Sequence, residues 1–294
     1  MKTLLILLAL CFILPGLIVG LLRLSRWRRR QGGQRPPFSD LLLRSPGEGL
    51  RREIEDLNAE ITAFMISASI IPLLLTCVYL IRWFSDKGRG GTGNLLFIVG
   101  IGFTGYLVWK VLKLIERRKS LRIGLAGVVA TGEELNRLML DGHHVYHDFP
   151  AHRFNIDHIL VGASGVFAVE TKSFSKAGRG NRTTEATVTY DGESLRFPSW
   201  VTTEPIDQAK AQAAWLSKWL SVAVGDPVRV LPMVTIPGWY IDKKSPHGVP
   251  VLNPKQVKAY LDGKKGEALS ESMIARICHQ LEQQCRDVDL REWY

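Results

Sequence analysis

The chain has 294 residues, 46% of them hydrophobic, and a formal net charge of +10 at pH 7. That length leaves room for two structural units, and the hydrophobic share is enough for a packed core plus membrane-crossing segments. Residues 1–122 hold 19 basic and 8 acidic side chains, whereas residues 123–294 hold 19 and 20. The basic excess therefore belongs to the first part, where it bears on topology and anionic lipid heads, and it is excluded as a sign of nucleic-acid binding.

Three apolar stretches come first: Leu4 to Leu22, Ile61 to Trp83 and Leu95 to Ile115. Each is close to the roughly 20 residues that cross a hydrocarbon layer. Pro15 and Pro72 interrupt two of them, which transmembrane helices tolerate. The first stretch has the alternative of a secretory signal, but Lys2 is its only leading charge, no cleavage site is evident, and Arg23, Arg26, Arg28, Arg29 and Arg30 follow directly. These features favour a signal anchor. The arginines favour the cytoplasmic side, so the expectation is a multi-pass protein of a bacterial-type inner (cytoplasmic) membrane with the carboxyl-terminal domain in the cytoplasm. The alternative, a helical hairpin from Ile61 to Ile115 buried in a soluble protein, fits less well because Arg82, Lys110 and Lys113 lie only towards the stretch ends. Gln31 to Gly47 and Asp86 to Gly93 read as linkers, the first running along a membrane surface without fixed structure. Leu50 to Leu57 reads as a short interfacial helix.

After the spans, Ala130 to Asp141 predicts a helix with Thr131 as its amino-terminal cap. Val145 to Phe149 predicts a strand. The runs Asn155 to Val161 and Val166 to Lys172 predict two more, joined by the turn residues Gly162 to Gly165. A small hairpin is expected over Thr187 to Tyr190 and Ser194 to Phe197. Pro205 to Val222 predicts a helix with Ala211, Ala214, Trp215 and Leu216 towards the sheet. Val228 to Ile236 fits a buried strand despite Pro232, and Ser270 to Gln284 closes the chain as an amphipathic helix. The domain boundaries read as 1–122 for the membrane region, 123–262 for an α/β domain and 263–294 for a carboxyl-terminal helical segment.

The predicted hairpin carries the chemistry. Asp157 falls on one strand and Glu170 on its neighbour, and Glu170 and Lys172, two apart, share a face while Thr171 points away. Charged groups in an apolar strand are costly to bury unless they pair or bind something. Two close carboxylates suit a hard divalent cation, and a nearby ammonium can orient or help deprotonate water for attack on a phosphodiester. The plain alternative is a Glu170–Lys172 ion pair on a solvated face, with Asp157 paired to an arginine.

These residues and their neighbours resemble the nuclease-related domain, NERD, within the PD-(D/E)xK superfamily. The resemblance runs through Gly132-Glu133-Glu134-Leu135-Asn136, Ile156-Asp157-His158-Ile159-Leu160-Val161, Gly165-Val166-Phe167, Val169-Glu170-Thr171-Lys172 and Pro205-Ile206-Asp207-Gln208, covering roughly residues 125 to 240. It implies a restriction-endonuclease-like mixed sheet flanked by helices, an α/β class, preceded here by an α-helical membrane region of about three spans. It further implies Asp157 and Glu170 as metal ligands and catalytic carboxylates, Lys172 as the catalytic lysine, Glu133 as a further ligand for which Glu134 is the alternative, and Gln208 in a supporting role. The implied cofactor is Mg²⁺ or Mn²⁺, and the implied partner is nucleic acid, DNA ahead of RNA, beside the lipid bilayer. The usual Asn-Pro of the family is Glu204-Pro205 here, which puts the polar role of position 204 in question. The reading is thus a membrane-anchored metal-dependent nuclease. Its alternative is an inactive membrane-tethered scaffold that binds nucleic acid or protein. Oligomeric state stays open.

Other chemistry is thinner. Five of the seven histidines lie between His143 and His158, yet His143, His144, His147 and His152 lack zinc-ligand spacing, and His158 is expected on the sheet face opposite Asp157. Cys278 and Cys285 lie seven apart on a helix, too far along one axis to bridge easily. Arg153, Lys176, Arg179, Arg182 and Arg196 form a possible phosphate-binding patch, with a solvated loop as the alternative. Trp200 reads as a packing anchor ahead of a base-stacking platform.

Overall fold

The computed structural model describes residues 41–85, 91–175, 186–264 and 268–288. The chain divides into two compact units. One takes Ile54–Lys119 among these residues, and the other takes Leu41–Glu53 and Ser120–Asp289.

The first unit is built from two long helices, α1 (Glu48–Ser85) and α2 (Gly91–Asn136), whose ends extend into the second. Both contain stretches long and apolar enough to cross a membrane. Met65, Leu73, Ile98 and Ile101 are at least half exposed, a poor arrangement in water. Several hydroxyls in the apolar stretches return to the backbone one turn back, as Ser67 Oγ donates to Ala63 O and Thr104 Oγ1 to Gly100 O, so these need no outside partner. Charges gather towards one end, where Lys110 Nζ lies 3.9 Å from Glu60 and Arg118 donates to Asn58 Oδ1 at 3.1 Å. The expected span from Leu4 to Leu22 lies outside the described residues, so two of the three are represented here.

Two expectations change. Leu50 to Leu57 is part of α1 and not a separate helix. Thr131 is no cap, because α2 runs without a break through it and only then tightens into a 3-10 turn, Arg137–Asp141, closed by Gly142 at φ 82°. Two glycines of α2, Gly127 and Gly132, are contact positions. A Cβ on Gly127 would run into the Ser173 side chain, and one on Gly132 into Pro46.

The second unit holds a five-stranded mixed sheet in the order β10-β8-β4-β3-β2. Its strands are β2 (His144–Pro150), β3 (Asn155–Gly162), β4 (Gly165–Thr171), β8 (Val230–Thr235) and β10 (Val251–Leu252). The first three are antiparallel neighbours, and β4 runs parallel to β8. A parallel return needs a long crossover. Here it contains β5 (Thr187–Tyr190), β6 (Leu195–Arg196), β7 (Val201–Thr202) and helix α3 (Glu204–Val224). Together with β9 (Tyr240–Lys243), the three short strands make a second sheet, ordered β7-β6-β5-β9. Pro232 is tolerated because β10 pairs only with Val234 and Thr235, leaving β8 bordered by β4 alone at the proline.

Each face of the main sheet is sealed by helices. Ile159, Val161, Val166 and Ala168 pack against Ala213, Leu216 and Leu220 of α3 and Ile277 and Leu281 of α5 (Glu271–Cys285). On the other face, Leu160, Phe167, Val169 and Met233 meet Leu135 of α2 and Val257 and Leu261 of α4 (Val257–Asp262).

The phase of α3 meets expectation in part, since Leu216 is buried and Trp215 packs against the core. Ala211 and Ala214 are exposed, and the buried stripe is Ile206, Ala209, Gln212, Ala213, Leu216 and Leu220. Nor is the linker before α1 without structure at its end. Leu42–Leu43 forms β1 and pairs with β11 (Arg286–Val288), while Arg44 links Asp148 to Asp287.

Candidate active site

Three neighbouring elements, β3, β4 and α3, bring the site together. The β3–β4 register pairs His158 with Val169, so the next step of the ladder sets Asp157 opposite Glu170 on one face. Thr171 N–H donates to Asp157 Oδ2 at 2.8 Å, which fixes the orientation of that carboxylate. Glu170 Oε1 lies 3.2 Å from Lys172 Nζ. Lys172 also donates to Gln208 Oε1 at 2.9 Å and lies 3.6 Å from the exposed Glu204. Glu204, Gln208 and Gln212 recur every four residues, so α3 presents one polar row to the strands. Gln212 Nε2 completes the row by donating to Glu170 Oε2 at 2.7 Å.

Burial controls the electrostatics. It raises the Asp157 carboxyl well above the usual carboxylate range, and the facing Glu170 raises it further, against the opposing effects of the Thr171 amide and Lys172. Burial likewise raises Glu170, which Lys172 and Gln212 only partly offset. For Lys172, burial disfavours the ammonium, but Glu170, Glu204 and Asp157 outweigh it and its pKa ends above normal. The site therefore combines strained carboxyls with a secure cation, the mutual perturbation characteristic of reactive clusters.

Glu133 is exposed and lines a cleft of about 590 Å³ together with Glu134, Pro237, Tyr240 and Asn253. Among the described residues no three His, Cys, Asp or Glu side chains form a metal-holding group, so Glu133 is not assembled with Asp157 and Glu170 here. Glu134 is 3.1 Å from Arg137. Two facing carboxylates and amide oxygens nonetheless make a hard-oxygen donor set suited to Mg²⁺ or Mn²⁺.

His158 does point to the opposite face. Its Nδ1 lies 2.8 Å from Nδ1 of His147, whose Nε2 reaches Asn136 Oδ1 at 2.9 Å. Burial lowers His147 to about 4 and keeps His158 well below the ordinary imidazole range. Trp200 stacks on Phe197 at 4.5 Å between centroids and also meets Phe174. Arg153 and Arg196 are exposed, whereas Lys176, Arg179 and Arg182 lie outside the described residues.

Sequence reasoning missed Gln212. Its signal was the four-residue spacing from Gln208, hidden because a polar helical residue reads as outward-facing.

With this geometry in view, residues 123–237 match the family model described as a nuclease-related domain, NERD. The matched region contains Glu133, Asp157, Glu170, Lys172, Gln208 and Gln212. No curated protein and no solved structure matches the chain.

Proposed function

We propose that this is a membrane-anchored nuclease of the PD-(D/E)xK type, with a restriction-endonuclease-like core, that hydrolyses phosphodiester bonds of DNA or RNA with Mg²⁺ or Mn²⁺. The observation that carries the proposal is the convergence of Asp157, Glu170 and Lys172 on one face of β3 and β4. Asp157 and Glu170 would hold the divalent ion between them. The bound ion supplies Lewis acidity and neutralises charge at the scissile phosphate. Lys172, kept protonated by its acidic neighbours, acts as a positioned cation that donates to a phosphate oxygen or to the attacking water. Gln208 fixes the ammonium. Between the two, DNA is proposed ahead of RNA. The two apolar helices serve as anchors, with the domain on the cytoplasmic side of a bacterial-type inner membrane.

The competing reading is an inactive tethered scaffold. Glu204 favours it, because a carboxylate 3.6 Å from Lys172 competes with a phosphate for the ammonium. The deciding experiment incubates the full chain in detergent with labelled single- and double-stranded DNA and RNA, with Mg²⁺, Mn²⁺ or chelator. Divalent-dependent cleavage that disappears in Glu170→Gln and Lys172→Met establishes the nuclease. Binding without single-turnover cleavage under any of these ions establishes the scaffold.

A further inference from the structure

Gln212 has a property that packing alone does not account for. The side chain is 2% exposed, and its Nε2 is committed to Glu170 Oε2. Its Oε1, equally buried, has no hydrogen-bond partner. Glu170 determines which end of the amide is which, since an ionised carboxylate only accepts and the atom facing it must be the nitrogen. The oxygen is thus left as an unfilled acceptor within a cluster that already holds two carboxylates and a lysine. Native interiors seldom leave such an atom without a donor, and when they do a ligand or ordered water commonly supplies it.

We infer that Gln212 is a positioning residue for the divalent ion: Nε2 holds Glu170 in its ligating orientation, and Oε1 is the acceptor completed when a hydrated cation enters. This inference rests on the divalent-ion reading above. Mg²⁺ and Mn²⁺ favour oxygen donors, and Mg²⁺ in particular retains part of its water shell, so an amide oxygen beside a ligating carboxylate has a donor to accept from once the ion is in place. Residues that hold ligating groups from behind typically change metal affinity by about 10–100-fold when removed. Gln208 has a different task, since its oxygen is already taken by Lys172. The two glutamines of α3 divide the work, one serving the ammonium and the other the carboxylate.

The test is calorimetric Mn²⁺ titration of the full chain in detergent, with a thermal melt at each Mn²⁺ concentration. Wild type is expected to bind Mn²⁺ in a manner abolished by Glu170→Gln, and Gln212→Leu to bind about 10–100-fold more weakly and lose most of the Mn²⁺-induced rise in melting temperature. A purely structural role gives another pattern: Gln212→Leu then melts lower by the same amount with and without Mn²⁺ and keeps wild-type affinity, which overturns the inference while leaving the ion site standing. Should Gln212→Leu fail to fold, Gln212→Glu decides. Its extra carboxylate beside Glu170 should melt below wild type without Mn²⁺ and gain more than wild type when the ion is added, and no extra gain overturns the inference. Absence of Glu170-dependent Mn²⁺ binding in wild type removes the ion reading and this inference together.

Discussion

Strand β3 carries two buried polar clusters one residue apart, and they could hardly differ more. Asp157 looks towards α3 and joins a charged group that includes the 25%-exposed Lys172 side chain. His158 looks towards α2 and joins the buried His147, which in turn bonds the exposed Asn136, in a neutral contact. Alternation along a strand lets one sequence run serve both purposes. Burial disfavours charge in both clusters, but in the first Lys172 stands 3.2 Å from Glu170 and supports an ionised carboxylate. Only the first keeps a cation. A buried polar cluster that retains charge suits chemistry, while one that gives up charge suits structure.

Substitutions on the two sides should therefore separate activity from stability. The largest effect is expected for Glu170→Gln and Lys172→Met, each lowering cleavage on the order of 10²–10³-fold, as losses of charge-stabilising groups do. Glu170→Gln should melt at or above the wild-type temperature, because it relieves a buried, disfavoured charge. Steady-state cleavage and melts on the same samples check both halves. A large fall in melting temperature alongside lost cleavage breaks the contrast.

On the imidazole side, His147→Ala should cost about 1–3 kcal/mol by stranding its partners, with kcat/KM per folded molecule unchanged. The same cluster sets a pH window. His147 titrates at about 4 instead of 6.5, so on acidification the unfolded chain takes up the proton first. Its stabilising contribution is complete above about pH 6.5, is lost as the pH falls towards 4, and amounts to about 3 kcal/mol. The raised carboxyls Asp148, Asp157 and Glu170 act with the opposite sign. The comparison is therefore with His147→Gln, which should lose less stability than wild type between pH 6.5 and 4.5. Equal losses of unfolding free energy in the two proteins between these pH values, measured by denaturant titration, contradict the assignment.

Much of this contrast was legible in the primary structure. The pleat alone places Glu170 with Lys172, and the β-rich runs around Gly162 to Gly165 place Asp157 beside them. What local patterns do not carry is the phase of a helix with polar residues on its inner side, which is why Gln212 escaped and Ala211 and Ala214 were assigned to the sheet. Nor do they reveal why Gly127 and Gly132 stand in α2, since these two make sense only once Ser173 and Pro46 are seen against them. The pairing of β1 with β11 joins segments more than 240 residues apart and leaves no periodic trace in either.

The smallest expected effect concerns Glu204 at the rim. Glu204→Gln removes a competitor for Lys172 and should strengthen nucleic-acid binding a few-fold at low salt. The gain should shrink as salt screens an exposed charge. Fluorescence-anisotropy titrations at two ionic strengths measure it, and unchanged affinity at low salt would mean that Lys172 does not meet phosphate.

The central claim, that Asp157 and Glu170 together hold a divalent ion, is tested most directly by anomalous diffraction from crystals of the full chain soaked in Mn²⁺. The account predicts a Mn²⁺ peak within oxygen-ligand distance of both carboxylates, lost in Glu170→Gln crystals. Divalent-dependent cleavage together with a peak elsewhere, or with none at this pair, would contradict it.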